Sequence, residues 1–542
     1  MAEGVGMRER TNEVEVERDV KVSVSDGTLL LADVYHPVGV DDAPTILERT
    51  PYGRANFASA MGPEFAARGY RYVLQACRGT DGSGGTHSYF AEAGDGRDTA
   101  DWIASQPWFN GSMGTFGGSY MGFTQWALAS TRPPHLKAMA VALSTSVRAH
   151  SWYPGGSLAL EVIIPWDAGA TQFNKQTNAV PTTDISPDGI ERRMSELKAG
   201  FDHLPLGEVI HRLTGVDLQL YRDQLAHQGA GDAFWDPLNF RSLLAEWTVP
   251  TLLVDGWYDY PLPGVVEDYA ALRASPAPVH LRIGAGGHLG GGGEGGMTDA
   301  PLDWFDTWLL GREGLLGPTP VKVHVQGEGA RWRDLPDWPP PSEPTRWYLH
   351  AGGRLAPIPP AEASEPDRYR YDPADPTPSI GGIGMLTGGA ADNRPLEARS
   401  DVLVYTSDEL GEPLELIGPV EAQLHVGSSL DHTDFFVRVC DVSPDGRSVN
   451  VCDGLQRFDP ASIRRNPDAT FTAAVALWPV GHTFAPGHRI RVQVSSGAHP
   501  VYARNLGTGD PSATATTLQN ADQAVHHEPG RLSWVTLPHF SG

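Results

Sequence analysis

Apolar and polar positions alternate at the start of the chain. Val20-Lys21-Val22-Ser23-Val24 alternates, Asp26-Gly27 supplies a turn and residues 29–35 return, which predicts an opening β-hairpin. From about Pro44 the pattern changes to short apolar runs, Thr45-Ile46-Leu47 and Tyr70-Arg71-Tyr72-Val73-Leu74, separated by helix-like stretches around Phe65-Ala66-Ala67 and Thr99-Ala100-Asp101-Trp102-Ile103. Strand, helix, strand in that rhythm implies parallel pairing. It continues through Gly114-Thr115-Phe116 and residues 138–143, then stops. Residues 190–198 and 206–213 look helical, and the strand rhythm returns at residues 249–254 and 279–283.

Near Gly317 the pattern changes again. A proline-rich stretch, residues 336–344, lies among short alternating segments with Gly, Pro and Asp turns, such as Val321-Lys322-Val323-His324-Val325 and Arg489-Ile490-Arg491-Val492-Gln493-Val494. That spacing predicts an antiparallel sandwich or jelly roll. The expected organisation is an α/β-hydrolase core over residues 15–144 and 246–316, a helical cap inserted at 145–245, and a β jelly-roll domain over 317–542.

Composition narrows the function. The 542 residues carry a formal net charge of -25, which repels nucleic acid and anionic membranes, so neither is an expected partner. No stretch approaches the roughly 20 apolar residues of a membrane span, and the charged first 18 residues lack a secretory apolar core, so a cytoplasmic location is expected. Three cysteines, Cys77, Cys440 and Cys452, make no disulfide framework and read as free thiols. With no close His and Asp ligand cluster, neither a metal site nor a cofactor is predicted.

The chemistry centres on Gly117-Gly118-Ser119-Tyr120-Met121-Gly122, set between the strand-like run at 114–116 and a helix-like one at 123–129. A serine on a sharp strand-to-helix turn needs neighbours without a Cβ, and the helix start favours developing negative charge. A Gly-x-Ser-x-Gly elbow would place its second glycine at Met121; here it stands one residue later. A serine hydroxyl also needs a base, and the base needs a carboxylate to orient it, in the chain order Ser, Asp, His for this fold. Leu252-Leu253-Val254-Asp255-Gly256-Trp257-Tyr258-Asp259 offers two acids, Asp255 and Asp259, and the residues leave both open. His288 follows the next strand, whereas His280 sits inside it.

Several motifs in order resemble the X-prolyl dipeptidyl aminopeptidase, cocaine esterase and α-amino-acid ester hydrolase family. They are Arg49-Thr50-Pro51-Tyr52, Gln75-Ala76-Cys77-Arg78-Gly79, Asp95-Gly96-Arg97-Asp98, Gly117-Gly118-Ser119-Tyr120-Met121-Gly122 and Gly256-Trp257-Tyr258-Asp259. The resemblance accounts for the displaced glycine, favours Asp259 as the acid and His288 as the base, and implies oxyanion donors at the Tyr52 hydroxyl and the Tyr120 backbone N–H. It also places acyl and leaving-group pockets where cap meets core, with Trp152, Trp166 and Tyr260 as aromatic candidates for lining them or for packing the interior. Glycines on both sides of His288, at 284, 286, 287 and 290–293, predict a loosely held loop.

The expected activity is cleavage of a small carboxylic ester through an acyl-enzyme. An amidase, X-Pro peptidase or acyltransferase would use the same three residues on an amide or a different acceptor. A non-catalytic binding protein with a β-rich recognition domain is the reading of another class. Relatives often form dimers or larger assemblies, so a homo-oligomer is an expected state.

Overall fold

The computed structural model describes residues 8–55, 60–170, 187–290 and 296–542. The opening hairpin pairs β1 (Val14–Ser23) with β2 (Leu29–Pro37) in antiparallel fashion. It docks on a parallel sheet made by β3 (Thr45–Thr50), β4 (Arg71–Ala76), β5 (Met113–Gly118), β6 (Leu136–Ala142), β7 (Thr251–Gly256) and β8 (Val279–Gly284). The strands lie in the order β1, β2, β4, β3, β5, β6, β7, β8, and only β1 and β2 break the parallel run. This is the α/β-hydrolase sheet.

Covering both faces of a parallel sheet demands apolar side chains in both directions, and the strands supply them. Ile46, Tyr72, Leu252 and Val254 pack on one face with α1 (Met61–Ala66) and α9 (Asp299–Leu310). Leu47, Val73, Leu253, Leu281 and Ile283 pack on the other, against α2 (Glu92–Ser105), α3 (Tyr120–Ser130) and α8 (Leu262–Arg273). Residues 120–129 of α3 are all buried, so the helix that follows the candidate nucleophile runs through the interior rather than along the surface.

Between β6 and β7 the chain forms a cap of helices: α4 (Leu160–Ala170), α5 (Pro187–Asp202), α6 (Val209–Thr214) and α7 (Gln219–Ala226). Part of the inserted segment, 171–186, lies outside the described residues.

Past α9 the hydrolase sheet runs on beyond residue 317. Strand β9 (Val321–Gly327) pairs in parallel with β8 and also with the strand Phe471–Phe484, so it belongs to the core sheet and to the C-terminal one. The C-terminal region is a two-sheet antiparallel jelly roll. Leu414–Ser428 pairs with Phe471–Phe484 in one sheet, and Thr433–Val442 lies between Ser448–Phe458 and Arg489–Ser495 in the other. The three cysteines are free and buried. Among the described residues no helix is long and apolar enough to cross a membrane.

Candidate active site

Ser119 stands between β5 and α3 with φ 58° and ψ -122°, a left-handed backbone that few non-glycine residues adopt. Its neighbours explain the glycines. Gly117 has φ 135°, and a Cβ there would stand 2.6 Å from that of Met121. A Cβ at Gly122 would stand 2.5 Å from the Cβ of Ser144, because the first turn of α3 rides over the end of β6. The close approach to Ser144 thus accounts for a glycine at 122. The Ser119 N–H donates to the Ala142 carbonyl at 3.0 Å, tying the turn to β6.

The candidate acids lie at the end of β7 and in the turn after it. Both Asp255 and Asp259 are wholly buried, but Asp259 faces His288: its Oδ1 and Oδ2 lie 2.8 and 3.1 Å from Nδ1. The other imidazole nitrogen, Nε2, lies 2.9 Å from the Ser119 Oγ. Three side chains separated by up to 169 positions thus form one hydrogen-bonded file. Burial lowers the imidazole pKa to about 4, so the ring is neutral at neutral pH and Nε2 is free to accept a proton.

The glycines before His288 serve close approach. The N–H groups of Trp257 and Tyr258 donate to the carbonyls of Gly284 and Gly286 at 3.1 and 3.3 Å, zipping the two loops together. A Cβ at Gly256 would collide with the Gly286 carbonyl oxygen. The expected loose loop is therefore corrected for residues 284–287, while Gly291, Gly292 and Gly293 lie outside the described residues.

Tyr52 follows β3, and its hydroxyl interacts with the Ser119 side chain and accepts the indole N–H of Trp166 at 3.3 Å. Burial raises the phenol pKa, so the group stays a donor. As first residue of α3, Tyr120 has a backbone N–H with no acceptor inside the helix. Its ring stacks on Trp166, with centroids 5.8 Å apart and planes 3° from parallel, and its hydroxyl donates to Glu92 at 2.7 Å. Glu92 is paired with Arg49, and Arg49 reaches Gln75 at 2.8 Å, so residues of three early motifs form one buried polar support beneath the turn.

The other aromatic candidates divide. Tyr260 packs against the His288 ring at 4.7 Å between centroids. Trp152, only 2% exposed, is built into the cap between Tyr89 and Trp235, with the Arg148 guanidinium over its face, so it packs the interior rather than lining a pocket. His280 packs on Trp304 inside its strand.

Sequence reasoning missed the contribution of the C-terminal region. Met385 packs with Ala159, Val162 and Tyr260. Its loop is held by Glu161 of α4, which accepts from the N–H groups of Leu386 and Thr387 at 2.9 and 2.6 Å. The Trp478 indole donates to the Asp259 carbonyl at 3.2 Å. No local spacing in the sequence marks these contacts.

Comparison with known proteins agrees with this architecture. Residues 26–290 match the X-Pro dipeptidyl-peptidase (S15 family) model, and residues 317–536 match the X-Pro dipeptidyl-peptidase C-terminal non-catalytic domain. The chain is 32% identical to the cocaine esterase of Rhodococcus sp. (strain MB1 Bresler), over 96% of this chain and 98% of that one. A solved aminopeptidase from a marine sediment Thaumarchaeota archaeon is 25% identical, covers 100% of this chain with 98% of its own, and superposes with a TM-score of 0.82. A solved α-amino acid ester hydrolase, 24% identical over 98% of this chain and 97% of its own, shares the fold with a TM-score of 0.82.

Proposed function

The chain belongs to the X-Pro dipeptidyl-peptidase (S15) family of serine hydrolases, and from that premise we propose that it cleaves small carboxylic esters through an acyl-enzyme. Ser119 is the nucleophile, His288 the base and Asp259 the acid that orients it. The observation that carries this reading is the file from the Ser119 Oγ to Nε2 at 2.9 Å and from Nδ1 to Asp259 at 2.8 Å.

As Oγ attacks the ester carbonyl, its proton passes to Nε2, and Asp259 holds Nδ1–H so that the acceptor nitrogen faces the serine. The carbonyl oxygen becomes an oxyanion, met by the Tyr52 hydroxyl and the Tyr120 N–H. The Trp166 indole N–H donates to the Tyr52 oxygen and helps hold the phenol beside Ser119. Collapse expels the alcohol, which takes the proton from His288; water then repeats the sequence and releases the acid.

Ester preference is supported by the near full-length likeness to an enzyme named an esterase. The family name and the aminopeptidase neighbour support the second reading, an amide or X-Pro substrate on the same residues. A panel of p-nitrophenyl esters, amino-acid amides and X-Pro substrates separates the two. Hydrolysis of the esters, lost in Ser119→Ala together with fluorophosphonate labelling, is the expected result. Turnover confined to the X-Pro members would remove the ester assignment.

A further inference from the structure

Asp255 and Asp259 both end up at the site, and the file from serine to acid uses only one. Asp255 is 0% exposed. Its Oδ1 accepts the N–H of Gly256 at 2.7 Å. Its Oδ2 has no N–H or O–H partner, and the Asp255 and Asp259 side chains meet in a carboxyl–carboxyl hydrogen bond. Asp259, equally buried, turns its oxygens to Nδ1 of His288.

Two buried carboxylates in contact repel each other strongly, so a proton must lie between them. Chemistry decides where it sits. Asp259 receives the imidazole N–H, and a proton on it would weaken that acceptor. Asp255 has a neutral backbone amide as its hydrogen-bond donor and no cation against it. The proton therefore belongs on Oδ2 of Asp255, the oxygen with no other donor.

We propose that Asp255 is a positioning residue, kept protonated, whose carboxyl O–H donates to the Asp259 carboxylate and extends the file to Asp255, Asp259, His288 and Ser119. The proposal rests on the triad reading above. Its physical use is to keep Asp259 ionised. Burial alone drives the Asp259 pKa up, toward a neutral acid that would orient the imidazole poorly. The Asp255 donor and the Tyr260 N–H work against that rise. Burial also drives Asp255 up, and the neighbouring Asp259 carboxylate raises it again, against the lowering effect of the Gly256 N–H and His288. The other ionisable group facing the pair is His288 from the loop after β8; Arg148, from the cap side, faces the imidazole and the Tyr260 hydroxyl beside it.

Asparagine is the test, because its carbonyl can accept from Gly256 while its N–H2 donates to Asp259, as a protonated Asp255 does. With the full chain and a p-nitrophenyl ester, Asp255→Asn is expected to keep kcat within about threefold and leave the acid limb of kcat/KM in place. Asp255→Leu, with no donor, is expected to lower kcat about tenfold at constant KM and to move that limb to higher pH, as Asp259 takes up a proton more readily. Should Asp255 be ionised instead, Asp255→Asn would remove a negative charge near His288 and move the limb to lower pH, which overturns the proposal. If Asp255→Leu does not fold, infrared difference spectra of Ser119→Ala decide. A protonated-carboxyl band at neutral pH that disappears with Asp255→Asn supports the proposal, and no such band refutes it. Undiminished turnover by Ser119→Ala would sink the triad reading itself, separately from either result at Asp255.

Discussion

At residue 119 a strained backbone sets the side chain; at residue 288 backbone hydrogen bonds hold the approach to the loop, and side chains fix the ring. Ser119 sits at φ 58° on a turn where Gly117 and Gly122 leave no room for a Cβ, ahead of a helix whose first ten residues are all buried. His288 lies on a short turn beside Leu289, which is 77% exposed, and its ring is fixed by Asp259 on one edge and Tyr260 against its face. A nucleophile must meet the carbonyl along one line, so it gains from a frame that cannot relax. A base must serve both serine and leaving group, so it gains from contacts that orient its ring.

The sharpest way to break this contrast is to remove the side-chain hold on the imidazole. Asp259→Asn is expected to lower kcat by about 10⁴-fold while the protein stays folded, as judged by its circular dichroism. A drop of only a few fold would mean that the loop backbone alone positions the ring. Next in size, Tyr52→Phe removes one of the two proposed oxyanion donors from the serine side and is expected to cost about 10²–10³ in kcat, with KM little changed in steady-state assays.

Smaller effects sharpen the contrast in stability. Gly122→Ala forces a Cβ against Ser144 and is expected to destabilise the fold by about 1–3 kcal/mol in urea unfolding. Gly287→Ala, whose nearest neighbour would be the Tyr258 carbonyl at 3.3 Å, is expected to cost under about 1 kcal/mol. Equal losses would abolish the distinction between the two sides.

The pH dependence is the finest probe. The His288 pKa is about 4 in the folded protein, against about 6.5 for an unperturbed imidazole. Between those values the unfolded chain binds the proton that the native state refuses, so this residue makes stability fall as pH drops from about 6.5 to 4. The urea midpoint of His288→Gln is expected to fall less than the wild type's across that window. The acid limb of wild-type kcat/KM is expected below pH 6.5.

How much of this was legible from residues alone follows the same division. The elbow could be read because backbone strain and close approach select glycine at 117 and 122, and such selection leaves a local mark. The order of β7, its acid turn, β8 and His288 could be read because a parallel sheet delivers its strand ends to one edge. The choice between Asp255 and Asp259 was open because both lie at that edge, and both in fact enter the site. The role of Trp152 was open because a tryptophan in a cap looks the same in sequence whether it lines a pocket or packs against Trp235. Glu161, Met385 and Trp478 left no mark, since what they do depends on partners far away in the chain.

Strand β9 bears on how the molecule could be divided. Because it hydrogen-bonds to β8 and, further along its length, to Phe471–Phe484, a cut at residue 317 would strip the hydrolase sheet of the strand that covers β8. The amino-terminal fragment would be left with a raw β8 edge and without the indole that clasps the Asp259 carbonyl. The two halves are therefore expected to melt as a single unit, and a shortened enzyme would have to keep at least β9 and supply a new neighbour for it.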